Sequence, residues 1–254
     1  MQPGGDILAR RLAALAPLSE AERRMLAVDP SQRVRRTPAR ADIVREGDAP
    51  GDLRLLLSGW AARYKMLDDG RRQIVGLLLP GDLFDLHMTV LHELDHSIAA
   101  LTDLRLVEIP HERLDQVLRG SGAIARALRR YTLMGAAIQR EWLLSLGQRT
   151  AFERLGHLLC EIHIRLSMVG LTNGNACDMP MTQTEMADAT GITPVHVNRT
   201  LQEMRARGLI VLKGRILEIP DLDQLKQVSL FSDAYLQSLG ARRPPGQVVA
   251  LGAA

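Results

Sequence analysis

The segment from residue 181 to residue 210, MTQTEMADATGITPVHVNRTLQEMRARGLI, constrains the fold of this chain more than any other. Thr182 followed three residues later by Glu185 predicts a helix start with a capping box. Gly191 predicts the sharp turn after this helix, because glycine tolerates positive φ. Thr193 predicts the cap of a second helix, and Pro194 takes its first position, where no N–H is needed. Two short helices joined in this way are typical of a helix-turn-helix.

The second predicted helix has one apolar face and one polar face. The apolar residues recur at helical spacing and are expected to pack on the first helix: Val197, Leu201 and Met204. The residues left for the opposite face and the N-terminal end are Val195, His196, Asn198 and Arg199. A helix that enters the major groove N-terminus first brings such side chains to base edges, where arginine suits guanine and asparagine suits adenine. A helical hairpin whose charged residues are only solvated is the alternative interpretation.

The next residues, GLIVLKGRILEI, predict a β-hairpin with its turn at Lys213 and Gly214, like the wing of a winged helix. Residues 193–219 contain five basic and two acidic side chains, an excess that equals the formal net charge of +3 for the whole chain. This charge predicts a phosphate-binding surface and double-stranded DNA as the partner. The candidate DNA-contacting residues are Thr182, Gln183, Thr193, Pro194, Val195, His196, Asn198, Arg199, Lys213 and Arg215.

The N-terminal half shows a different pattern. Residues 7–27 predict two short helices, the second starting at Ser19. From about Arg33 to Pro110, short apolar runs are separated by Gly, Asp and Pro, which predicts a β-barrel or β-roll. Gly70 after two aspartates is the clearest hairpin signal.

A long helix is predicted after this region. Its residues follow a heptad spacing, which we interpret as the interface with a parallel helix of a second copy: Ile124, Leu128, Tyr131, Gly135, Ile138 and Trp142. A helix packed on its own β domain is the alternative. Gly147 predicts a hinge or helix end, and a second amphipathic helix is expected over residues 151–168. Residues 170–180 are expected to form a loop, and a last helix is expected after Pro220, running to about Leu239.

Cysteine usage and hydropathy exclude several classes of protein. Two cysteines without zinc-finger spacing argue against a disulfide scaffold, a structural zinc site and an iron–sulfur cluster, so no cofactor is expected. Cys160 lies among leucines and is expected to be buried, whereas Cys177 is the better candidate for a reactive thiol. The first residues do not predict a secretory signal, and no run is long enough to span a membrane, so we expect a soluble cytoplasmic protein without membrane partners.

Taken together, these patterns resemble the CRP/FNR family of bacterial transcription regulators. The motifs are the EGD…G…LLLSG…DGRRQIVGLLLPGD…IPHERL pattern, the long helix, and TQTEMADATGITPVHVNRTLQEMRARGLI. The resemblance implies an α+β chain that binds a two-fold symmetric DNA site as a homodimer. Its expected parts are a β-roll sensor like a cyclic-nucleotide-binding jelly roll with N-terminal helices (1–120), a dimerisation helix (121–147), a winged helix-turn-helix (148–239) and a flexible tail (240–254).

The resemblance also assigns roles to single residues. Arg199 matches the family's recognition-helix arginine, whereas Val195 stands where many members carry a glutamate. Valine cannot accept a hydrogen bond from cytosine but can touch a thymine methyl, so a different operator is expected. RNA polymerase would be a further partner if the chain activates transcription.

The cyclic-nucleotide cassette of the family is altered here. Asp85 and Leu86 replace its Gly-Glu pair, and His96 and Ser97 replace its Arg-Ser pair. Cyclic AMP is therefore not the expected effector, although Asp85, His96 and Ser97 remain the candidate effector site for another anion. No N-terminal cysteine cluster for an iron–sulfur centre exists either.

Two other functions are compatible with parts of the sequence. The first is a sensor or an enzyme that binds a metal or haem through His87, His92 and His96. The simpler interpretation of these histidines is that they lie in a loop and face the solvent. The chain lacks HExxH, GxSxG and P-loop motifs, so we expect no enzyme. The other is a ligand-binding module that acts through protein partners.

Overall fold

The computed structural model describes residues 6–27, 34–84 and 92–236. The chain begins with the two short helices that were predicted, α1 (Ile7–Ala13) and α2 (Glu20–Met25). Ser19 and Glu22 form the capping box that starts α2. None of the helices within the described ranges has the length and apolar character that crossing a membrane requires.

The β-roll follows, and it confirms the predicted fold. Its strands are β1 (Val34–Thr37), β2 (Asp42–Val44), β3 (Leu53–Ser58), β4 (Ala61–Met66), β5 (Arg72–Leu78), β6 (Leu83–Phe84), β7 (Ser97–Ala100) and β8 (Leu104–Ile109). They form two antiparallel sheets with strand orders β1-β8-β3-β6 and β2-β7-β4-β5. Gly70, with φ of 85°, closes the β4–β5 hairpin, as its sequence predicts.

The remaining elements form the helical connection and the C-terminal half. The helices are α3 (His111–Gly120), α4 (Gly122–Gln148), α5 (Ala151–Ser167), α6 (Gln183–Thr190), α7 (Pro194–Ala206) and α8 (Leu222–Val228), followed by a 3₁₀ helix (Asp233–Leu236). The strands are β9 (Thr172–Asn173), β10 (Ala176–Asp178), β11 (Val211–Lys213) and β12 (Ile216–Glu218), in the order β11-β12-β10-β9.

Helix α4 ends at Gln148, one residue after Gly147, which agrees with the predicted helix end, and Thr150 then caps α5. Two other local expectations need correction. The expected loop 170–180 contains β9 and β10, because Ala176–Asp178 pairs with the wing strand β12. The last helix ends at Val228, and Leu230 has a φ of 50° that a helix cannot contain.

Most of the residues that were predicted as the interface on α4 are buried within the single chain. Four of the six are at most 7% exposed within the single chain: Ile124, Leu128, Ile138 and Trp142. The hydroxyl of Tyr131 also bonds within the chain, since it accepts from Leu83 N at 2.9 Å and donates to Leu83 O at 3.0 Å. Only Gly135 of this set is exposed. The alternative that the sequence left open, a helix packed on its own β domain, describes Ile124 and Leu128, which cluster with residues of the β-roll. Ile138 and Trp142 lie in a core that also includes the C-terminal half.

A second series with heptad spacing runs along the opposite side of α4, and all its members are exposed. We call it the exposed heptad series: Arg126, Arg129, Leu133, Ala136, Arg140, Leu143 and Gly147. Leu133 and Leu143 are 65% and 72% exposed. Large apolar side chains that recur at this spacing on a free helix face are typical of a surface that pairs with another helix.

A buried chain of charges joins the β-roll to the C-terminal half. Asp82, in the turn before β6, lies 3.2 Å from the Arg11 guanidinium and 2.6 Å from that of Arg165 on α5. Arg165 also pairs with Glu161 at 3.1 Å, and Glu161 accepts a hydrogen bond from Trp142 Nε1 at 3.0 Å. The four charged side chains are at most 4% exposed. Each charge has an opposite partner, which is the condition under which burial of ions is tolerated.

Candidate nucleic-acid interface

Helices α6 and α7 are positioned by the caps that the sequence predicts. Thr182 N donates to Glu185 Oε2 at 2.7 Å, and Glu185 N donates to Thr182 Oγ1 at 3.2 Å. Gly191 ends α6 with φ of 65°, and Thr193 Oγ1 then accepts from His196 N at 3.2 Å to start α7. These observations confirm the helix-turn-helix geometry.

The two faces of α7 have opposite environments. Val197, Leu201 and Met204 are at most 1% exposed and pack in the core. Val195, the second residue of α7, is 81% exposed. Val195 therefore presents its two methyl groups at the free end of α7, next to the polar side chains of the same face.

The polar side chains of the helix start are organised into two pairs. Asn198 Nδ2 on α7 donates to Gln183 Oε1 on α6 at 3.2 Å, so the two helices present one amide pair. Arg199 Nη2 lies 3.3 Å from His196 Nε2 on the same face of α7. The geometry thus brings together four of the candidate residues, and each keeps donors or acceptors free for a base or a phosphate.

The wing contributes two exposed cations. The turn between β11 and β12 consists of Gly214 and Arg215, one residue later than the sequence predicts, because Lys213 still pairs with Ile216 in the ladder. Lys213 and Arg215 are exposed on either side of this turn. A cationic hairpin beside a helix-turn-helix is suited to contacts with the phosphate backbone.

Not every basic residue of this half is available to DNA. Arg207 Nη2 pairs with Glu203 Oε1 at 2.6 Å, and its guanidinium stacks on Phe152 at 4.7 Å from the ring centroid. The local charge excess therefore overstates the cationic groups at the α7 start and the wing.

Comparison with known proteins finds matches for both halves of the chain. Residues 34–121 match the cyclic nucleotide-binding domain, and residues 153–228 match the Crp-like helix-turn-helix domain. FnrL, a transcriptional activator of Cereibacter sphaeroides, is 31% identical over 68% of this chain and 70% of its own length. A probable transcriptional activator of Rhizobium leguminosarum bv. viciae is 30% identical over 76% of this chain and 80% of its own. The chain belongs to the CRP/FNR family.

The family assignment confirms the resemblance that the sequence motifs carry, and the chain is a DNA-binding transcription regulator. The solved structure of FixK2 from Bradyrhizobium japonicum has a TM-score of 0.68 and covers 77% of this chain and 96% of that one. At 24% identity, that similarity supports the fold alone.

The candidate effector residues of this CRP/FNR chain are only partly described. Asp85 lies outside the described residues. His96 and Ser97 begin β7 and are buried. His96 Nδ1 lies 2.7 Å from Asp95 Oδ1, and this hydrogen bond is the main cause of the lowered pKa of Asp95. Ser97 Oγ accepts from Glu46 N at 3.0 Å.

These contacts do not fit the phosphate of a cyclic nucleotide. Where the family's cassette has a guanidinium, His96 offers one buried, unpaired ring nitrogen, Nε2, and a neighbouring carboxylate on Asp95. The nearby Lys65 ammonium is paired with Glu46. Among the described residues at this place, a phosphate would meet the carboxylates of Asp95 and Glu46 and a lysine that is already paired, which disfavours binding.

A cavity that the sequence did not predict lies between β5 and α4. Its volume is about 200 Å³, and neither His96 nor Ser97 lines it. Its polar lining includes Arg63, Asp82 and Arg165, and its walls are formed by residues of β5 and by α4 around Gly135. The hydrophobic pattern hides such a cavity, because its apolar walls have the same residues as an ordinary core.

The metal interpretation gains nothing from the structure. His87 lies outside the described residues, His92 is exposed, and His96 is buried rather than solvent-facing. Within residues 6–27, 34–84 and 92–236, no three His, Cys, Asp or Glu side chains are grouped to hold a metal ion.

The two cysteines have similar environments, which corrects one expectation. Cys160 is buried, as predicted. Cys177 lies on β10 and is only 5% exposed, and burial raises the pKa of each thiol to about 12. Neither is activated as a thiolate, so the interpretation of Cys177 as a reactive thiol is wrong.

One contact between the two halves was not predicted. Arg72 on β5 donates to Asp188 Oδ2 on α6 through Nε at 2.9 Å and Nη2 at 2.7 Å. The neighbouring Gln73 donates to the backbone oxygen of Asp188 at 2.6 Å. Hydrogen bonds and an ion pair thus connect the first helix of the helix-turn-helix to the β4–β5 hairpin. These partners are 115 and 116 residues apart, and no local sequence pattern reports such a pair.

Proposed function

We propose that the chain acts as a homodimer that reads a two-fold symmetric operator through α7, in the cytoplasm where bacterial DNA lies. The observation that carries this proposal is the free N-terminal end of α7, where Val195 is 81% exposed beside the polar pairs of Asn198 and Arg199. Arg199 would donate to guanine, Asn198 would bond adenine, and Val195 would contact a thymine methyl. Lys213 and Arg215 would contact phosphates.

The test of the interface compares two arginines of the same helical region. Arg199→Ala should weaken binding to the preferred duplex by about 5- to 150-fold, the range for losing one bidentate contact to a base. Arg207→Ala also removes one positive charge, but the Arg207 side chain is paired with Glu203 within the chain. This variant should therefore keep near wild-type affinity for the duplex. Fluorescence anisotropy at fixed salt measures both. Equal losses for the two variants would contradict a base contact by Arg199.

The proposed dimer uses the exposed heptad series of α4. In a parallel pair of helices, residues of such a series face their own copies across the axis. Leu133 and Leu143 would then be buried, while the small Ala136 lets the helices approach closely. The two α7 helices must lie about 34 Å apart to enter successive major grooves, and a rigid parallel pair of α4 helices is suited to set such a distance.

The dimer is tested by a charge placed in the series. Leu143→Glu should leave the fold intact, since the side chain is 72% exposed, and should shift the protein to monomers in sedimentation velocity. Leu230→Glu changes an equally apolar side chain that is 62% exposed and lies outside α4, and this variant should sediment as wild type. A Leu143→Glu protein that remains dimeric would overturn this choice of face.

The proposal extends to a signal and to a transcriptional partner. The cavity between β5 and α4 is a site where a small effector would contact both the β-roll and the dimer helix. Because β5 also carries Arg72 at its start, a shift of this strand would reach α6 through Asp188. FnrL and FixK of Azorhizobium caulinodans are named as a transcriptional activator and a nitrogen fixation regulator, and contact with RNA polymerase is proposed for this chain on that ground.

A further inference from the structure

The exposed heptad series of α4 carries more positive charge than a helix pair normally tolerates. Three of its seven positions are arginines: Arg126, Arg129 and Arg140. Arg140 lies between Ala136 and Leu143, in the middle of the surface that would meet the second copy. The inference below rests on the proposed pairing of α4 with the α4 of a second copy.

The helix itself offers nothing to neutralise these arginines. In paired helices, charged residues beside the central series are the usual partners across the interface. Here those flanking positions hold no acid: Ala125, Arg130, Thr132, Ala137, Gln139, Leu144 and Leu146. The one acidic residue of α4, Glu141, is already paired with Arg149 at 2.9 Å.

Arg140 also has no partner among the described residues of its own chain. No described side chain or carbonyl forms an ion pair or hydrogen bond with it, and the same holds for Arg129. In a parallel, in-register pair, Arg140 of one protomer would therefore face the same residue of its partner. The small Ala136 and Ala137 one turn before it leave room between the helices beside the two guanidiniums.

We propose that the paired α4 helices bind a phosphate-type oxyanion between the two Arg140 side chains, so that dimerisation is linked to anion binding. Each planar guanidinium presents parallel N–H donors that match two oxygens of a tetrahedral oxyanion. One doubly charged anion would convert a repulsion between like charges into two attractions. By linkage, an anion that binds only the dimer lowers the concentration at which the dimer forms. Inorganic phosphate and the phosphate group of a nucleotide share this chemistry.

The test measures the dimer dissociation constant by sedimentation equilibrium without DNA, at matched ionic strength in chloride, in inorganic phosphate and in chloride with adenosine 5′-monophosphate. Phosphate should tighten the wild-type dimer by about fivefold or more, since neighbouring charges at the surface contribute on this order. The measurement with adenosine 5′-monophosphate separates the two sources of the anion. If this nucleotide tightens the dimer at lower concentrations than inorganic phosphate does, the anion is a nucleotide.

Arg140→Leu is the decisive variant, and its exposed position makes loss of the fold unexpected; circular dichroism checks this. It should dimerise about fivefold or more tightly in chloride than wild type and should lose the response to phosphate. Arg119→Leu, an exposed arginine on α3, should keep the wild-type response. A wild-type dimer of equal strength in all three solutions, or an Arg140→Leu protein that keeps the response, would overturn the anion site and leave the dimer. A wild-type protein that is monomeric in all three would overturn the dimer and the site together.

Discussion

Asp82 holds the charge on which the buried connection between the two halves depends. Its carboxylate is 1% exposed and faces the guanidiniums of Arg11 and Arg165, which are 0% and 4% exposed. Its Oδ2 also accepts from Leu79 N at 2.7 Å. Asp82→Asn keeps the volume and most of the shape but removes the negative charge. Two buried cations are then left with one remaining acid, Glu161.

The expected cost follows from this geometry. Breaking a buried ion pair by removing one partner destabilises proteins by about 3–5 kcal/mol. For a chain of this size, 1 kcal/mol corresponds to about 2–4 °C in the melting temperature, so Asp82→Asn should lower it by about 6–20 °C. Thermal and urea unfolding followed by circular dichroism measure the change. Asp68→Asn, an exposed aspartate in the β4–β5 turn, should change the stability by less than about 0.5 kcal/mol.

The pH dependence gives an independent check on the same carboxylate. Burial alone would raise the pKa of Asp82, but the guanidiniums of Arg11 and Arg165 outweigh it and hold the pKa below its usual value. A carboxyl with a lowered pKa stabilises the fold at neutral pH, and this contribution is lost as the pH falls below about 4. The difference in the free energy of unfolding between wild type and Asp82→Asn should therefore become smaller as the pH falls. A difference under about 1 kcal/mol at pH 7, or one that does not change with pH, would refute the reasoning.

Two further predictions concern the helix-turn-helix and its fastening. Gly191→Ala should destabilise the chain by about 1–2 kcal/mol in urea unfolding, because φ is 65° and the added methyl would lie 2.9 Å from a leucine side chain. The control Gly147→Ala lies inside α4 with open space around it and should be neutral or stabilising. Equal changes in stability for the two variants would contradict the account. A double-mutant cycle of unfolding with Arg72→Ala and Asp188→Ala should give a coupling energy of about 0.5–1 kcal/mol. The side chains are 31% and 21% exposed, so water weakens the ion pair only in part. Additive effects of the two substitutions would mean that the pair does not hold the halves together.

Sequence reasoning succeeds here where the signal is local. The caps at Ser19, Thr182 and Thr193 are each built from residues within three positions of one another, and all three form as the sequence predicts. The turn glycines Gly70 and Gly191 are local in the same sense. Since the helix-turn-helix consists almost entirely of such signals, the candidate DNA-contacting face could be assigned from the sequence.

Sequence reasoning fails where the answer depends on distant contacts. Both faces of α4 have heptad spacing, and the sequence favours the more apolar one, with Ile138 and Trp142, as the interface. That face is the more apolar because it packs in the chain's own core. Cys177 has polar neighbours in the sequence, but its strand lies opposite Leu217 in the winged sheet, and this pairing buries it.

The central claim is that a dimer of this chain reads DNA through α7, and selection of binding sites from random duplexes by the purified protein tests it most directly. At fixed moderate salt, the wild-type protein should enrich an inverted repeat whose half-sites are about one helical turn apart. Arg199→Ala should relax the preference at one position in each half-site while the spacing stays the same. Enrichment of a single, unrepeated site, or an unchanged base preference for the variant, would contradict the account.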